Sequence, residues 1–319
     1  MKKINIRFAT FFLIVFSISC NTDEFLELKS PNNQSWITPK EFEEAAATSY
    51  NIALWGGYDN FAFFDISVFT SYSPVARWVE GHTEQWMQEE LQNRDFSYEI
   101  NEVADNFSKP YQVIGNCNAA IDFYISNGEA PGYPFQNMTD EEKRFVDMIA
   151  GECYALRAYA YLSLVSRHCP PFVKGQPNDS RHLILSTRLA TSPSQATNVC
   201  PSPTYEIWNQ MVEDLKKAKE LLQPTAPGPG RITVYAASAL LSRIYFRMGL
   251  WEEAEAECSF VINGPFDLNE DPVTAFSYSD YTQKGTEVIW QCTFDEKRRS
   301  TDGAVRLLHI TKNHRDADV

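Results

Sequence analysis

The stretch Gly230-Arg-Ile-Thr-Val-Tyr-Ala-Ala-Ser-Ala-Leu240-Leu-Ser-Arg-Ile-Tyr245-Phe-Arg-Met-Gly249-Leu-Trp-Glu-Glu-Ala254-Glu-Ala-Glu-Cys258-Ser-Phe-Val-Ile262-Asn-Gly-Pro265 carries the strongest structural signal in the chain. Leu240, Leu241, Ile244, Tyr245 and Met248 recur at three- and four-residue steps, which puts them on one face of a helix. Gly249 ends that helix, because glycine takes up the left-handed backbone of a helix C-terminus without steric cost. Ala254, Cys258, Val261 and Ile262 mark a second helix, so the stretch reads as a helical hairpin. A lone hairpin leaves its second face uncovered and has to stack on further helix pairs.

Laid on the tetratricopeptide pattern, Leu241-Ser242, Tyr245, Ala254, Cys258 and Pro265 fall at or within one place of its Leu-Gly, Tyr, Ala, Phe and Pro positions. Upstream segments extend the helical reading. Thr38-Pro-Lys-Glu41 is a capping box with Pro at the first helical position, and Phe42, Ala46, Tyr50 and Ala53 continue a helix from it. A second amphipathic stretch runs from about Phe107 to Ile125, with Val113, Cys117, Ala120, Ile121 and Tyr124 on one side. Thr139-Asp-Glu-Glu142 caps a third helix, which runs until Pro170-Pro171 stops it. The fourth starts near Ser202-Pro203 and aligns Trp208, Met211, Val212, Leu215, Ala218 and Leu222. The third and fourth read as a degenerate repeat split by the loop from Cys169 to Pro201. Glu287-Val-Ile-Trp-Gln-Cys-Thr-Phe294 alternates like a short strand, and His182–Leu185 and Val305–His309 are further strand candidates. The expected fold is mainly α: tetratricopeptide-like hairpins forming an α-α superhelix, long irregular loops and a few short strands.

The 319 residues are 44% hydrophobic, enough for a sizeable core. Lys and Arg number 28 against 42 Asp and Glu, a net charge of −14 that disfavours nucleic acid as a partner. The first twenty residues read as an address. Lys2, Lys3 and Arg7 precede the apolar run Phe8–Phe16, and Ser17-Ile-Ser19 leads to Cys20, where a bacterial lipoprotein signal peptidase would leave a diacylated cysteine. Ser17 stands where the lipobox prefers Leu. Removal of residues 1–19 takes away three positive charges, so the mature charge is −17 and attachment to an anionic bilayer has to come from acyl chains. The expected organisation is a signal peptide over 1–19, a lipidated tether over 20–37 with the acidic pair Asp23-Glu24, and a helical body over 38–319.

Six further cysteines show no CxxC pair, and the five histidines no HxxxH spacing, so a helical zinc pair is not expected. Cys117, Cys153 and Cys258 fall on apolar helix faces and read as core. Cys169 and Cys200 lie in loops, where they could close a disulfide in an exported chain. GxSxG, Walker and GxGxxG motifs do not occur. No cofactor or metal is expected, and the reading is non-enzymatic.

Taken together, several segments resemble the SusD/RagB family of outer-membrane nutrient-binding lipoproteins. They are Cys20 followed by Asp-Glu-Phe-Leu-Glu27, the Thr38-Pro-x-Glu-Phe42 helix, Gly151-Glu-Cys-Tyr-Ala-Leu-Arg-Ala-Tyr-Ala-Tyr161, Tyr205 to Leu222 with Asp214-Leu-Lys-Lys-Ala218, and Gly230 to Leu240. The resemblance implies a lipid-anchored protein on the outer face of the outer membrane. It would lie on a SusC-like TonB-dependent transporter and deliver captured oligosaccharide, or in some members peptide, without hydrolysing it. Relatives continue well beyond the Lys312–Val319 terminus, so the resemblance also implies a further C-terminal region that helps to complete the ligand site. A tetratricopeptide-type adaptor and a glycoside hydrolase are the readings from other classes.

A glycan platform combines exposed aromatic rings, for the C–H faces of the sugar, with polar groups for its hydroxyls. Nine aromatics fall in the 29 positions from Tyr50 to Trp78, above the chain average of 13%, and Gly56-Gly57, Asp59-Asn60 and Ser73-Pro74 break the stretch into loops. The Phe residues there read as core. Tyr72, Trp78 and Trp86, beside Asp65, Arg77 and Asn93, are the ligand candidates. Tyr278 and Tyr281, in a second cluster with Phe276, would complete the arc.

Overall fold

A computed structural model describes residues 36–55, 101–125, 134, 135, 137–190, 192, 195, 199–269 and 285–291. By contacts the chain divides into Met1–Ile37 and Thr38–Val319, and nearly all described residues belong to the second unit. Helix α1 spans Pro39–Tyr50. Its capping box forms as read: the Thr38 hydroxyl accepts the Glu41 N–H at 3.2 Å and the Glu41 carboxylate accepts the Thr38 N–H at 3.3 Å. Phe42, Ala46 and Tyr50 are buried, and a π-helical turn over Asn51–Trp55 continues the chain with Ala53 also buried.

Helix α2 spans Asn101–Ile125, beginning six residues before the expected start and running through Pro110. Asn101-Glu-Val-Ala-Asp-Asn106 has too little apolar periodicity to announce those turns. Helix α3, Asp140–His168, is capped by Thr139 and Glu142. Strand β1, Arg181–Leu183, pairs antiparallel with β2, Ser202–Pro203, so Ser202 and Pro203 belong to a ladder and α4 starts only at Thr204, running to Leu221. Helices α5, Val234–Met248, and α6, Trp251–Ile262, form the hairpin. Gly249 sits between them at φ 72°, and its N–H reaches the Phe246 and Tyr245 carbonyls.

The described core is built around α3, which packs on α1, α2 and α4; α4 then packs on α5, and α5 on α6. Helix α3 packs closely on α4, and Ile149, Leu156 and Leu164 of the first and Ile207, Met211 and Leu215 of the second are all shut off from solvent. Burying each such side chain contributes about 2 kcal/mol. Gly151 permits this close approach, because a Cβ there would lie 3.0 Å from both Leu221 Cβ and Leu222 Cγ. Between Val146 and Val165 the long helix α3 is therefore buried nearly all round, with Glu152 and Arg157 among its enclosed side chains.

Three expectations need correction. Residues 287–291 form turns and bends rather than a strand, since no strand runs beside them among the described residues and the Trp290 side chain is used as an anchor. Residues 292–294 and the Val305–His309 candidate lie outside the described residues. Cys117 and Cys153 are buried as expected, but Cys258 is exposed, because it lies on the flank of α6 turned away from α5. Cys169 and Cys200 are free thiols: Cys169 caps α3 and its thiol is hydrogen-bonded to the Thr204 side chain, while Cys200 lies exposed ahead of β2. Among the described residues no helix is long and apolar enough to cross a membrane.

Candidate functional site

Cys20, Asp65, Tyr72, Arg77, Trp78, Trp86, Asn93, Tyr278 and Tyr281 all lie outside the described residues. The described residues supply the frame from which the two aromatic-rich segments depart. The first, 56–100, runs from the π turn after α1 to the start of α2. The second, 270–284, runs from Asn269 to Gly285.

The C-terminal end of α1 is held by a buried charged cluster. Tyr50, its last residue, accepts the Ile232 N–H on its phenol oxygen at 2.8 Å. The neighbouring Arg231 donates from Nε and Nη2 to the Glu152 carboxylate at 2.6–2.9 Å and from Nη1 to Glu43 at 2.6 Å, while its guanidinium lies 5.8 Å from the Tyr50 ring centroid. One arginine thereby joins α1, α3 and the turn leading into α5, using the planar fork that suits carboxylates. Glu152 is fully buried, and burial pushes its carboxyl up to about 7 against the pull of Arg231. Burial draws the Arg231 guanidinium down, and the Glu152 charge more than reverses this, leaving it above its ordinary value. Two carboxylates share one guanidinium here, so a proton on Glu152 makes the cluster neutral.

A second cluster fixes the chain between β1 and β2. Arg157 of α3 grips Asp214 of α4 through Nε and Nη2 at 2.8 and 2.6 Å, with the two side chains 3% and 1% exposed. Its Nη1 donates to Asn118 Oδ1 at 2.7 Å and to the Thr187 carbonyl at 3.2 Å. Asn118 in turn donates to the Ser186 and Arg188 carbonyls. The Tyr111 hydroxyl both accepts from and donates to the backbone of Ile184, and the Tyr161 hydroxyl does the same for Ser186. Paired bonds to alternate residues are what an antiparallel neighbour would supply. Side chains of α2 and α3 thus take the place of a strand, and residues 184–189 are held by their hydrogen bonds without one. Burial pushes both phenols up, so they keep the protons with which they donate.

The second aromatic segment leaves from a closed base. The Asp267 N–H reaches the Thr286 carbonyl at 3.3 Å, the Asn269 N–H reaches the Glu287 carboxylate at 3.3 Å, and the Thr286 hydroxyl bonds the Asn269 amide oxygen at 3.0 Å. Trp290 then donates its indole N–H to the Gly230 carbonyl at 2.9 Å and meets the Tyr159 ring edge-on at 5.8 Å. Gly230 adjoins Arg231, so the same turn holds both the end of α1 and this base.

These buried charges position backbone rather than reacting groups, because Glu152, Arg157 and Asp214 are out of reach of a solvent-borne ligand. In the sequence they lie inside the family-like segments Gly151–Tyr161, Tyr205–Leu222 and Gly230–Leu240, and their pairing is not legible there. The available signal was a charge interrupting an apolar stripe: Glu152 between Ile149 and Cys153, and Asp214 between Val212 and Leu215.

A family model described as starch-binding and associating with the outer membrane, SusD-like, matches residues 24–246. The chain belongs to the SusD-like family. Its relative SusD-like protein P2 of Formosa agariphila is 26% identical over 165 residues, covering 51% of this chain and 28% of that protein. A SusD superfamily structure from Bacteroides thetaiotaomicron superposes with a TM-score of 0.63 at 19% identity, over 83% of this chain and 55% of the other. A SusD-like carbohydrate binding protein from Bacteroides vulgatus gives the same score and identity, over 82% and 52%. The SusD-like chain therefore spans about half the length of these solved relatives and shares their helical fold. The charged residues of both buried clusters outside α1 and α2, Glu152, Arg157, Asp214 and Arg231, all lie within the matched region.

Proposed function

We propose that this chain is a non-catalytic, oligosaccharide-binding lipoprotein of the cell surface, which passes its ligand to a TonB-dependent transporter in the outer membrane. The observation that carries the reading is the family match over residues 24–246, with its description as starch-binding and associating with the outer membrane. Cys20 is the acylation site, and two acyl chains suffice to hold a body of net charge −17 against anionic lipid. The faces of Tyr72, Trp78, Trp86, Tyr278 and Tyr281 receive the C–H faces of the sugar, and Asp65, Arg77 and Asn93 bond its hydroxyls. The hydrogen bonds that tie the end of α1 to Ile232 and close the base at Asp267–Glu287 support this reading, since a platform built on loops discriminates only when the loop bases are fixed.

Growth of expressing cells with labelled palmitate tests the anchor. Label is expected on the membrane-borne protein and is lost in Cys20→Ala; an unlabelled wild-type protein in the soluble fraction contradicts the proposal. Calorimetry against oligosaccharides and peptides in parallel assigns the ligand class, with heat expected from sugars. Heat from peptides alone reassigns the site to the peptide-binding type of uptake complex.

A further inference from the structure

Helices α2 and α3 run antiparallel, and two hydrogen bonds set their register. Tyr124 donates to Asp147 at 2.6 Å, and Asn118 accepts from Arg157 at 2.7 Å. Cys117 stands two turns before Tyr124, while Cys153 stands six residues after Asp147 and one turn before Arg157, so this register brings the two cysteines level. Both are shut off from solvent, as are Ala120 and Ala150, one turn along toward the Tyr124–Asp147 bond. Small side chains at a contact allow helix axes to approach.

The two thiols meet in this contact. Cys153 is hydrogen-bonded to the Cys117 thiol, Cys117 donates to Ser49 Oγ at 3.5 Å, and Ser49 donates to the Ala45 carbonyl of its own helix at 3.0 Å. The Cys117 thiol and burial together hold the Cys153 thiol well above its ordinary value. Both cysteines are free in this structure. Oxidation of the pair removes two S–H donors and leaves the Ser49 hydroxyl its own acceptor, so no buried donor is stranded. The loop cysteines lack such a contact, since the Cys169 thiol bonds the Thr204 side chain and Cys200 is exposed.

We propose that Cys117 and Cys153 are a disulfide-forming pair, a covalent staple between α2 and α3 that closes when the chain folds in an oxidising medium. The oxidant is a dissolved disulfide such as oxidised glutathione. One cysteine thiolate attacks it, forming a mixed disulfide and releasing one small thiol. The other attacks the protein sulfur of that mixed bond and releases the second. Two protein thiols give up two electrons, their two protons pass to the released thiols, and one dissolved disulfide becomes two thiols. The exchange precedes closure of the interface, because the folded pair is out of reach of solvent and Cys153 keeps its proton. The first aromatic segment leads into α2, so the staple ties the helix at that end of the segment to the central helix. This inference is independent of what the protein binds.

The full chain is unfolded in urea with reductant and diluted either into mixed reduced and oxidised glutathione or into reductant alone. Remaining thiols are alkylated in denaturant before digestion and peptide mass spectrometry. The glutathione sample is expected to yield the Cys117 peptide joined to the Cys153 peptide, with Cys200 and Cys258 alkylated. A bond across 36 residues restricts the unfolded chain, and the oxidised protein is expected to melt about 5 to 10 °C above the reduced one. That comparison uses one sequence in two redox states and needs no substitution. In Cys153→Ala the joined peptide and the difference in Tm are both expected to vanish. Recovery of Cys117 and Cys153 as alkylated thiols from the glutathione sample overturns the proposal. A bond from either to another cysteine, an oxidised protein that melts no higher than the reduced one, or a difference that persists in Cys153→Ala overturns it as well.

Discussion

Glu152→Gln isolates the proton balance of the cluster that holds α1. The folded chain holds the Glu152 carboxyl at about 7, against 4.5 for the free side chain. Between those values the folded state keeps a proton that the unfolded state has lost, so stability falls as the pH rises through this window. The contribution is fully present below pH 4.5 and gone above pH 7. The step from 4.5 to about 7, at about 1.4 kcal/mol for each tenfold change in proton affinity, sets a ceiling of about 3 kcal/mol. The structural source is plain: Glu152 is shut off from water and shares the Arg231 guanidinium with Glu43, so ionising it leaves surplus negative charge in the core. Glutamine is neutral throughout. It presents one oxygen to a guanidinium that now meets two, and this fixed cost appears at every pH. Urea unfolding of both proteins at pH 5, 6, 7 and 8 therefore gives a difference whose pH dependence belongs to residue 152. The variant is expected to be less stable at pH 5 and to recover about 2 to 3 kcal/mol relative to wild type by pH 8. A constant difference, or one that widens toward pH 8, refutes the reasoning, because Arg231 would then hold Glu152 ionised across the whole range.

Arg157→Met leaves Asp214 buried with Gln210 as its remaining partner and is expected to cost about 3 to 5 kcal/mol in urea unfolding, with faster amide exchange over residues 184–189. Trp290→Phe keeps a ring against Tyr159 but loses the bond to the Gly230 carbonyl; a loss of about 1 kcal/mol is expected, seen as faster exchange over 285–291 with little change in exchange within α3. Gly249→Ala places a side chain at φ 72°, with its Cβ 3.3 Å from Lys174 Cβ, and a cost of about 1 to 2 kcal/mol should lower the Tm by several degrees.

The helix starts at Thr38 and Thr139 and the break at Gly249 were legible because each rests on chemistry within a few residues of chain: a side-chain cap, or a residue without a Cβ. The apolar beat of α4 was legible for the same reason, down to Trp208, Met211 and Leu215. The failures involve partners distant in sequence. Alternation at 287–294 resembles a strand, but Trp290 is committed to Gly230, sixty residues away. Cys258 shares the helical period of Ala254 and Val261, yet core or surface depends on whether anything lies beside α6. The two ion clusters were invisible for the same reason, since Glu152 and Arg231 are 79 residues apart and Arg157 and Asp214 are 57 apart. The ligand candidates rest on composition and family resemblance, and neither specifies how Tyr72, Trp78 and Trp86 stand relative to one another.

The central claim is that the chain binds oligosaccharide and releases it unchanged. The most direct measurement is calorimetric titration of the full chain with a panel of oligosaccharides, repeated for Trp78→Ala and Trp86→Ala and followed by chromatography of the recovered sugar. Saturable binding by the wild type, weaker binding by both variants at unchanged thermal stability, and sugar of the original length are the predicted results. Shortened sugar, the absence of binding to every oligosaccharide tried, or variants that lose stability in step with affinity would contradict the account.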